Sequence, residues 1–297
     1  MKFFEEREPI IVKPPATIAK QIDKLKNRGL IIDDENHAYT TLEIINYYRL
    51  VHYFAVFLDD SGQYIEGTCF EDGVRLYEFD RKLRAEILVE LEEIEVAARA
   101  AVSNYHVAKY GALGYLNSES FDRRHNHKAL MNKAGRIIAK NSDLSFVRHH
   151  NKKYGGAFPL WVMMEMFSFG TLAAFYRDLS LNDKKEIAGR YFKHDFRNVE
   201  NWLENLAVLR NRCAHYNRIY GNPLPGTLRG IEIVKPREYE MKSALFDHML
   251  AVKFLHRRND NWERSFIDVM EKLFRDYDDI VSPQVLGFPE DWAEFFK

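Results

Sequence analysis

Hydrophobic residues recur every three or four positions along most of the chain, which is the spacing of amphipathic α-helices. The longest such run extends from about residue 71 to residue 105 and predicts a long helix, broken once at most. Its apolar positions are Leu76, Phe79, Leu83, Ile87, Leu91, Ile94, Ala98 and Val102. Only residues 231–236 suggest a brief strand. The pattern therefore predicts an all-α fold.

Capping residues and helix breakers divide the rest of the chain. Thr17 precedes a short helix that Gly29 ends, and a second segment starting at residue 40 or 41 gives the N-terminal part a helix-turn-helix-like outline. The remaining predicted helices are 128–140, one running from Pro159 through LWVMMEMFSFGTLAAFY, one capped by Asn182 or Asp183, 198–214, and two within 238–281. We expect an N-terminal arm and helix-turn-helix-like segment (1–70), a helical core (71–225) and a C-terminal helical extension (226–297), compatible with a single packed domain.

Composition places the chain among helical proteins with a substantial core, since 46% of its 297 residues are hydrophobic. The 43 Lys and Arg nearly balance the 44 Asp and Glu, so basic charge can be concentrated only locally. Cys69 and Cys213 are too few for a disulfide framework. The first residues lack the apolar core of a signal peptide, and no stretch approaches the roughly 20 apolar residues of a membrane span. We expect a cytoplasmic protein without membrane contact.

The most distinctive local pattern is WLENLAVLRNRCAHYNRIYGN, which begins at Trp202. An apolar helical stripe up to Leu209 is followed at once by Arg210, and His215 comes five residues later. At about 100° per residue, Arg210 and His215 do not lie on one face of an ideal helix. They can meet only if the helix ends or kinks between them, or if a second copy of the motif completes the site.

These residue types suit RNA cleavage without a metal ion. A histidine titrates near neutral pH and can serve as general base or acid, whereas the guanidinium of Arg210 matches the charge that grows on a phosphate. The ribose 2′-OH supplies the nucleophile, and Asn211 could orient His215 or donate to a phosphate oxygen. However, basic residues are favoured at helix C-termini in any case, and one Arg–x4–His is expected by chance. Arg99 and His106 have a similar spacing and are interpreted as helix surface.

Five blocks carry a resemblance over residues 13–220. They are KPPATIAKQIDKLKNRGLIIDDE, LEIINYYRLVHYFAVF, LYEFDRKLRAEILVELEEIEVAARAAV, FVRHHNKKYGGAFPLWVMMEMFSFGTLAAFYRDL and WLENLAVLRNRCAHYNRIY. Their order and spacing resemble the Abi (abortive infection) family related to AbiD and AbiF. That family is placed in the HEPN superfamily, whose members are helical bundles with an Arg–x4-6–His motif that typically cuts RNA without a metal.

The resemblance implies a HEPN-like helical bundle with additional N-terminal and C-terminal helices. Arg210 and His215 match the Arg and His of the motif, and Asn211 matches the polar residue that often follows the Arg. It further implies phage defence by growth arrest, an RNA substrate, no cofactor, a homodimer, and control by an RNA or protein antitoxin.

Three acidic or basic residues outside the motif are supporting candidates. Glu95 and Arg99 form an i,i+4 pair that either supports the active site or is an ordinary ion pair. Glu165 interrupts an apolar helix and would need a partner if buried, for which Arg99 or Arg210 is expected in a structural clamp.

Basic clusters at 123–128, 148–154 and 256–258 favour a phosphate-binding face in an otherwise neutral chain. The candidate RNA-binding residues are Arg123, Arg124, Arg148, Lys152, Lys153, Tyr154 and Arg218. Zinc is a competing interpretation of His125, His127, His149 and His150, but without cysteine pairs or a firm ligand spacing no metal is predicted. Two functions stay open: an endoribonuclease toxin, or a non-catalytic RNA-binding or regulatory module of a defence or toxin–antitoxin system.

Overall fold

The computed structural model describes residues 14–231, 244–256 and 262–296. These residues form twelve α-helices and no β-strand, which confirms the all-α fold. Contacts divide the chain into two compact units, the first ending at Phe79 and the second beginning at Asp80. The boundaries expected at residues 70 and 225 stay predictions. No helix in the described ranges has the length and apolar character needed to cross a membrane.

The first unit contains α1 (Ile18–Lys26), α2 (Glu35–Ile44), α3 (Tyr47–Phe54) and the start of α4 (Phe70–Tyr110). Thr17 caps α1 as predicted, accepting a hydrogen bond from the Lys20 amide. The single helix expected from residue 40 onward is wrong. Asp34 starts α2 earlier, and extended backbone at Ile45 ends it before Asn46 caps α3. The helix-turn-helix-like outline is therefore three short helices.

The long helix α4 is unbroken over its 41 residues. All eight apolar positions of its predicted stripe, from Leu76 to Val102, are buried. Acidic residues occupy its first turn and Lys109 its last, an arrangement that complements the helix dipole. Because the stripe is continuous, one helix carries side chains into the interior along its whole length.

The second unit continues α4 and adds eight helices: α5 (His127–Lys140), α6 (Ser145–Tyr154), α7 (Leu160–Met166), α8 (Phe169–Asp178), α9 (Leu181–Ile187), α10 (Phe196–Ala214), α11 (Leu245–Leu255) and α12 (Trp262–Arg275). The single helix predicted after Pro159 is wrong, because extended backbone at Phe167 ends α7 and Ser168 caps α8. Ser180, not residue 182 or 183, caps α9.

Helix α10 lies against α8 and α11. Apart from Lys253 and Phe254, every residue of α11 is buried, including the polar Asp247 and His248. The two helices of the tail confirm the pattern found in 238–281. The suggested strand at 231–236 lies, except for Ile231, outside the described residues.

A buried carboxylate connects α4 to the chain that follows α10. Asp80 accepts hydrogen bonds from the backbone amides of Ile219, at 2.9 Å, and Tyr220, at 2.8 Å, through one oxygen. Its other oxygen accepts from Arg84, one turn further along α4. Both side chains are almost completely buried. A charge this deep needs such partners, so the contact fixes where residues 219 and 220 run.

We predict that Asp80→Ala lowers the free energy of unfolding by about 3–5 kcal/mol, because it leaves the Arg84 charge and two amides buried without their acceptor. Urea unfolding followed by circular dichroism measures this. The matched control Asp268→Ala, at an exposed position of α12, should change it by less than about 0.5 kcal/mol. A loss below about 1 kcal/mol for Asp80→Ala would show that the carboxylate is not the tether described.

Candidate functional site

Helix α10 ends at the predicted motif. Its last residue is Ala214, and His215 is the C-cap. The amide of Tyr216 donates to the Cys213 carbonyl and that of Asn217 to the Arg212 carbonyl, which is the Schellman arrangement of a helix end. Tyr216 takes the left-handed conformation this requires, with φ of 60°. The expected helix end between Arg210 and His215 is therefore present, one residue before the histidine.

Three hydrogen bonds hold the chain beyond this turn. Trp202 donates to the Arg229 carbonyl at 2.7 Å, and Arg212 donates to the Pro223 carbonyl at 2.9 Å. The Tyr220 hydroxyl accepts from the Ser282 amide at 3.0 Å. Together with the Asp80 contact, these bonds give the end of α10 a fixed exit path. His215 consequently lies at a turn whose position these hydrogen bonds fix.

Glu95 of α4 is shared between two arginines. One of its carboxylate oxygens accepts from Arg99, and the other lies 3.5 Å from Nε of Arg210. Arg99 also donates to the Phe167 carbonyl, at 2.6 Å, at the break between α7 and α8. The Glu95 side chain is 10% exposed and that of Arg210 is 36% exposed. Helices α4 and α10 thus assemble two guanidinium groups around one carboxylate, with a net charge of +1.

An open cavity of about 320 Å³ lies at this cluster. Its lining residues are Leu88, Glu92, Glu95, Val96, Arg99 and Arg210. One amino nitrogen of Arg99, Nη1, is buried and has no hydrogen-bond partner in the described chain. Because that nitrogen is closed to solvent, the donor that an anion such as a phosphate can reach is the guanidinium of Arg210, whose side chain is 36% exposed.

A comparison with known families now bears on this geometry. The family model described as Abi-like protein matches residues 40–221, more than half of the 297 residues. The chain belongs to the Abi-like protein family. No curated protein and no solved structure gave a significant match. Membership points to involvement in abortive infection, a defence against phage. The matched range of the Abi-like chain includes Asp80, Glu95, Arg99, Arg210 and His215.

The structure does not gather all the predicted catalytic residues of the Abi-like protein. Arg210 lies at the cavity, and Asn211 beside it is exposed and accepts a long hydrogen bond, 3.4 Å, from Arg210. His215 is exposed and does not line the cavity. Five residues along a helix correspond to about 140° of rotation, which explains the separation. Within a single chain, the histidine is therefore not among the residues that line the cavity of the two arginines.

The expected clamp between Glu165 and Arg99 or Arg210 is wrong. Glu165 is exposed, because α7 ends one residue later and turns this position to the surface. Arg99 and Arg210 are engaged by Glu95 instead. The acid that supports the arginines is therefore the one on α4.

The second Arg–His pair, interpreted as helix surface, is also corrected. Arg99 belongs to the cluster, and its side chain is only 15% exposed. His106 is fully buried among the rings of Tyr110, Phe121 and Phe175, with both ring nitrogens lacking a hydrogen-bond partner in the described chain. Burial lowers the pKa of His106 to about 4. The histidine is thus a neutral core residue, while the arginine is the second cation of the candidate site.

The candidate RNA-binding residues occupy two surfaces. Arg123, Arg124, Arg148, Lys152, Lys153 and Tyr154 are exposed on or just before α5 and α6, whereas Arg218 is half-buried just after the α10 turn. In the cluster at 256–258, residues 257 and 258 lie outside the described residues.

The histidines weighed as zinc ligands have other partners. His125 is paired with Asp178 at 2.9 Å and stacked on Phe121, and His127 contacts the Leu116 carbonyl at 2.9 Å. His150 contacts the Ala157 carbonyl at 3.1 Å. In the parts of the chain that the structure describes, no three His, Cys, Asp or Glu residues come together as a metal-ion site.

We predict that the protein loses stability as pH falls from about 6.5 to about 4, in part through His106. In that range residue 106 is protonated in the unfolded chain but stays neutral in the folded chain, where it is buried. The free energy of unfolding therefore falls by up to about 1.4 kcal/mol per pH unit as the pH is lowered. The change His106→Leu should make this fall shallower in urea unfolding at pH 7, 5.5 and 4.5. Buried His248, whose pKa is also lowered to about 4, keeps part of the dependence.

The matched control for this measurement is His149→Leu, at an exposed histidine. It should leave the slope of stability against pH unchanged. An identical slope for wild type and His106→Leu would mean that His106 takes up its proton in the folded protein.

Proposed function

We propose that this Abi-like protein is a metal-independent endoribonuclease that acts in abortive infection. The observation that carries the proposal is the pair of arginines held by Glu95 beside an open cavity, one turn from an exposed histidine on the same helix end. The guanidinium groups of Arg99 and Arg210 offer a site for a phosphate, and the imidazole of His215 supplies a group that can accept or donate a proton. The RNA itself supplies the nucleophile.

The proposed reaction is an internal transfer at phosphorus. The ribose 2′-OH loses its proton to a general base and attacks the adjacent phosphorus, and the bond to the 5′-oxygen of the next nucleotide breaks. The leaving oxygen takes up a proton, so the products are a 2′,3′-cyclic phosphate and a 5′-hydroxyl. His215 would take or give a proton, while Arg210 and Arg99 would stabilise the negative charge on the phosphate oxygens. DNA, which lacks the 2′-OH, would not be cut.

A second copy of the chain would complete this site. His215 does not line the cavity of its own chain, whereas the neighbouring surface of α4 exposes apolar side chains. Val89 is 59% exposed and Val96 is 52% exposed, and both line a further cavity of about 410 Å³. Glu92 and Glu93 line the same cavity, so the two valines belong to an apolar stripe bordered by acidic residues. Apolar side chains exposed together on a helix face favour association. We propose that two α4 helices pair here, which would bring the His215 of one protomer toward the arginines of the other.

The proposal extends to the type of helical core and to the role within the family. A four-helix core of the HEPN type and an AbiD- or AbiF-like role fit the order of α4, α8, α10 and α11 and the position of the Arg–x4–His motif at the end of α10. RNA cleavage in the cytoplasm would arrest growth during infection. Such an activity needs restraint in uninfected cells, which an RNA or protein antitoxin would provide.

We predict that Arg210→Ala and His215→Ala each reduce cleavage of a labelled RNA by at least about 100-fold in excess EDTA, while the helical circular dichroism signal is retained. The matched controls are Arg190→Ala and His37→Ala, both at exposed positions outside the site. They should leave the rate within about twofold of wild type.

Three results would contradict the assignment. Full cleavage by both site variants would remove Arg210 and His215 from the chemistry. Loss of activity in EDTA that Mg²⁺ restores would require a metal-dependent mechanism. Stable RNA binding without cleavage by the wild-type protein would favour a non-catalytic RNA-binding module.

We predict that Val89→Glu converts a dimer into monomers and lowers RNA cleavage in proportion, because it places two like charges across the α4 pairing surface. Sedimentation velocity and the cleavage rate at matched protein concentrations check this. Val269→Glu, at a half-exposed valine of α12, is the control and should change neither. Monomeric wild-type protein with full activity would show that one chain forms the complete site.

A further inference from the structure

The helices α5 and α6 and the turn before α5 carry an unusual concentration of positive charge. Residues 123–158 contain nine Lys and Arg but a single acidic residue, Asp143, in a chain whose 43 basic and 44 acidic residues otherwise balance. All nine cations are exposed: Arg123, Arg124, Lys128, Lys133, Arg136, Lys140, Arg148, Lys152 and Lys153. We call this segment the basic hairpin. A surface of one sign attracts polyanions over about a Debye length.

The basic hairpin is thinly packed on the rest of its unit. Only Ala134 is buried in α5, and only Val147 in α6. Burying so little apolar surface contributes little to folding. Packing against a core therefore does not explain why these two helices carry so many cations. Core packing, which accounts for helices α8 and α10, therefore does not account for the basic hairpin.

Its two ends are nevertheless anchored. At the start of α5, His127 contacts the Leu116 carbonyl, 2.9 Å away. After α6, the Phe158 carbonyl accepts from the Tyr115 hydroxyl at 2.8 Å, and the Leu160 amide donates to the Ala112 carbonyl at 2.9 Å. The hairpin is consequently held just beyond the C-terminal end of α4. Its charges are presented in a fixed arrangement.

The hairpin and the arginine cluster belong to the same unit but lie apart. Arg99 precedes the end of α4, at Tyr110, by eleven residues, which is about 16 Å along the helix axis. Neither the hydrogen bonds nor the ion pairs of Glu95, Arg99 and Arg210 involve a residue of the hairpin. A ligand that occupied both would have to bridge roughly 16–20 Å.

We propose that the basic hairpin is a docking surface for the sugar–phosphate backbone of RNA, separate from the cleavage site. This inference rests on the proposed nuclease function. It specifies the substrate class as RNA longer than about six nucleotides. At the rise of about 3.4 Å per phosphate of a stacked strand, about six nucleotides reach from the arginines to the hairpin. Contacts to phosphates are independent of base sequence, so the hairpin adds affinity and positioning rather than sequence specificity.

The exposed rings and apolar side chains of the hairpin favour RNA over a membrane surface. Tyr154 is 49% exposed and lies at the end of α6 beside His149 and Lys153, where it can stack on a base. Leu144 is the one other large hydrophobic residue of 123–158 that is exposed. A helix that enters a lipid interface presents a broad apolar face, which two such residues do not make.

The test compares two variants with the same change of charge, each in a His215→Ala background that prevents cleavage. The hairpin variant carries Arg136→Gln, Lys140→Gln, Lys152→Gln and Lys153→Gln. The control carries Lys185→Gln, Arg190→Gln, Arg264→Gln and Arg275→Gln, all exposed on other helices. Fluorescence anisotropy with a labelled 20-nucleotide RNA is recorded at several salt concentrations.

We expect the hairpin variant to lose at least tenfold in affinity at 0.1 M salt. The slope of log affinity against log salt should fall by about 3, since each phosphate contact contributes about 0.7–0.9. The control should stay within twofold of its parent. With catalytically competent protein, the ratio of kcat/KM for the 20-nucleotide RNA to that for a dinucleotide should fall at least tenfold in the hairpin variant only.

Several outcomes would overturn the proposal. Equal losses in the hairpin and control variants would reduce the effect to overall charge. Tighter binding to vesicles of phosphatidylserine and phosphatidylcholine than to RNA would assign the hairpin to a membrane surface. Polyglutamate competing as well as RNA of equal charge would point to an acidic protein. Hairpin-dependent RNA binding by a wild-type protein that does not cleave would refute the nuclease function and leave the docking surface in place.

Discussion

The buried carboxylate of Asp80 is the contact on which the site depends. It lies on α4, the helix that also carries Glu95 and Arg99, and it binds the backbone amides four and five residues beyond His215. A helix end followed by a free loop would leave His215 without a defined direction. Because the amides of residues 219 and 220 are bound to α4, the last turn of α10 is fixed relative to the arginine cluster. One interior anion thus aligns the two helices that supply the candidate chemistry.

The electrostatics of the cluster follow from having one acid for two bases. A single carboxylate in a largely buried position can orient both Arg99 and Arg210 but can neutralise only one of them. The exposed Glu92 also lines the cavity, so two arginines there accompany two carboxylates and the formal charge of the lining is zero. What Glu95 provides is position, since it holds the Arg99 and Arg210 guanidinium groups at the cavity, where they can donate hydrogen bonds to a phosphate.

Much of the fold could be predicted from periodicity, because the stripe of α4 and the apolar faces of α10 follow a regular spacing that core packing requires. The breaks were harder to predict. Nothing in the apolar run after Pro159 marks Phe167 as extended, and Ser168 acts as a cap only because the chain turns there to bring the Phe167 carbonyl to Arg99. Long-range partners are invisible to local patterns: the i,i+4 spacing predicts the Glu95–Arg99 pair, but nothing in the sequence shows that Arg210 contacts Glu95 and not Glu165.

The same reason explains why the sequence does not reveal the role of Asp80 or the surroundings of Arg99. An acidic residue four positions before Arg84 looks like any i,i+4 surface pair, and only the tertiary contact with Ile219 and Tyr220 shows that it is buried. Arg99 shares its helix with His106, so spacing grouped those two together. In space, they point toward different neighbours, and a cation from α4 joins one from α10. The Arg–x4–His motif and the Glu95–Arg99 pair could be found in the sequence, whereas the contact between Arg210 and Glu95 that brings them together could not.

The left-handed backbone at Tyr216 restricts which amino acids natural variants can carry immediately after His215. Glycine and asparagine adopt this conformation at little cost, whereas valine, isoleucine and threonine do so poorly. Variation among homologues at this position should therefore be confined to residues that tolerate the turn, whatever chemistry the neighbouring histidine performs. A tyrosine here carries about 1 kcal/mol of backbone strain and presents a ring that is 66% exposed.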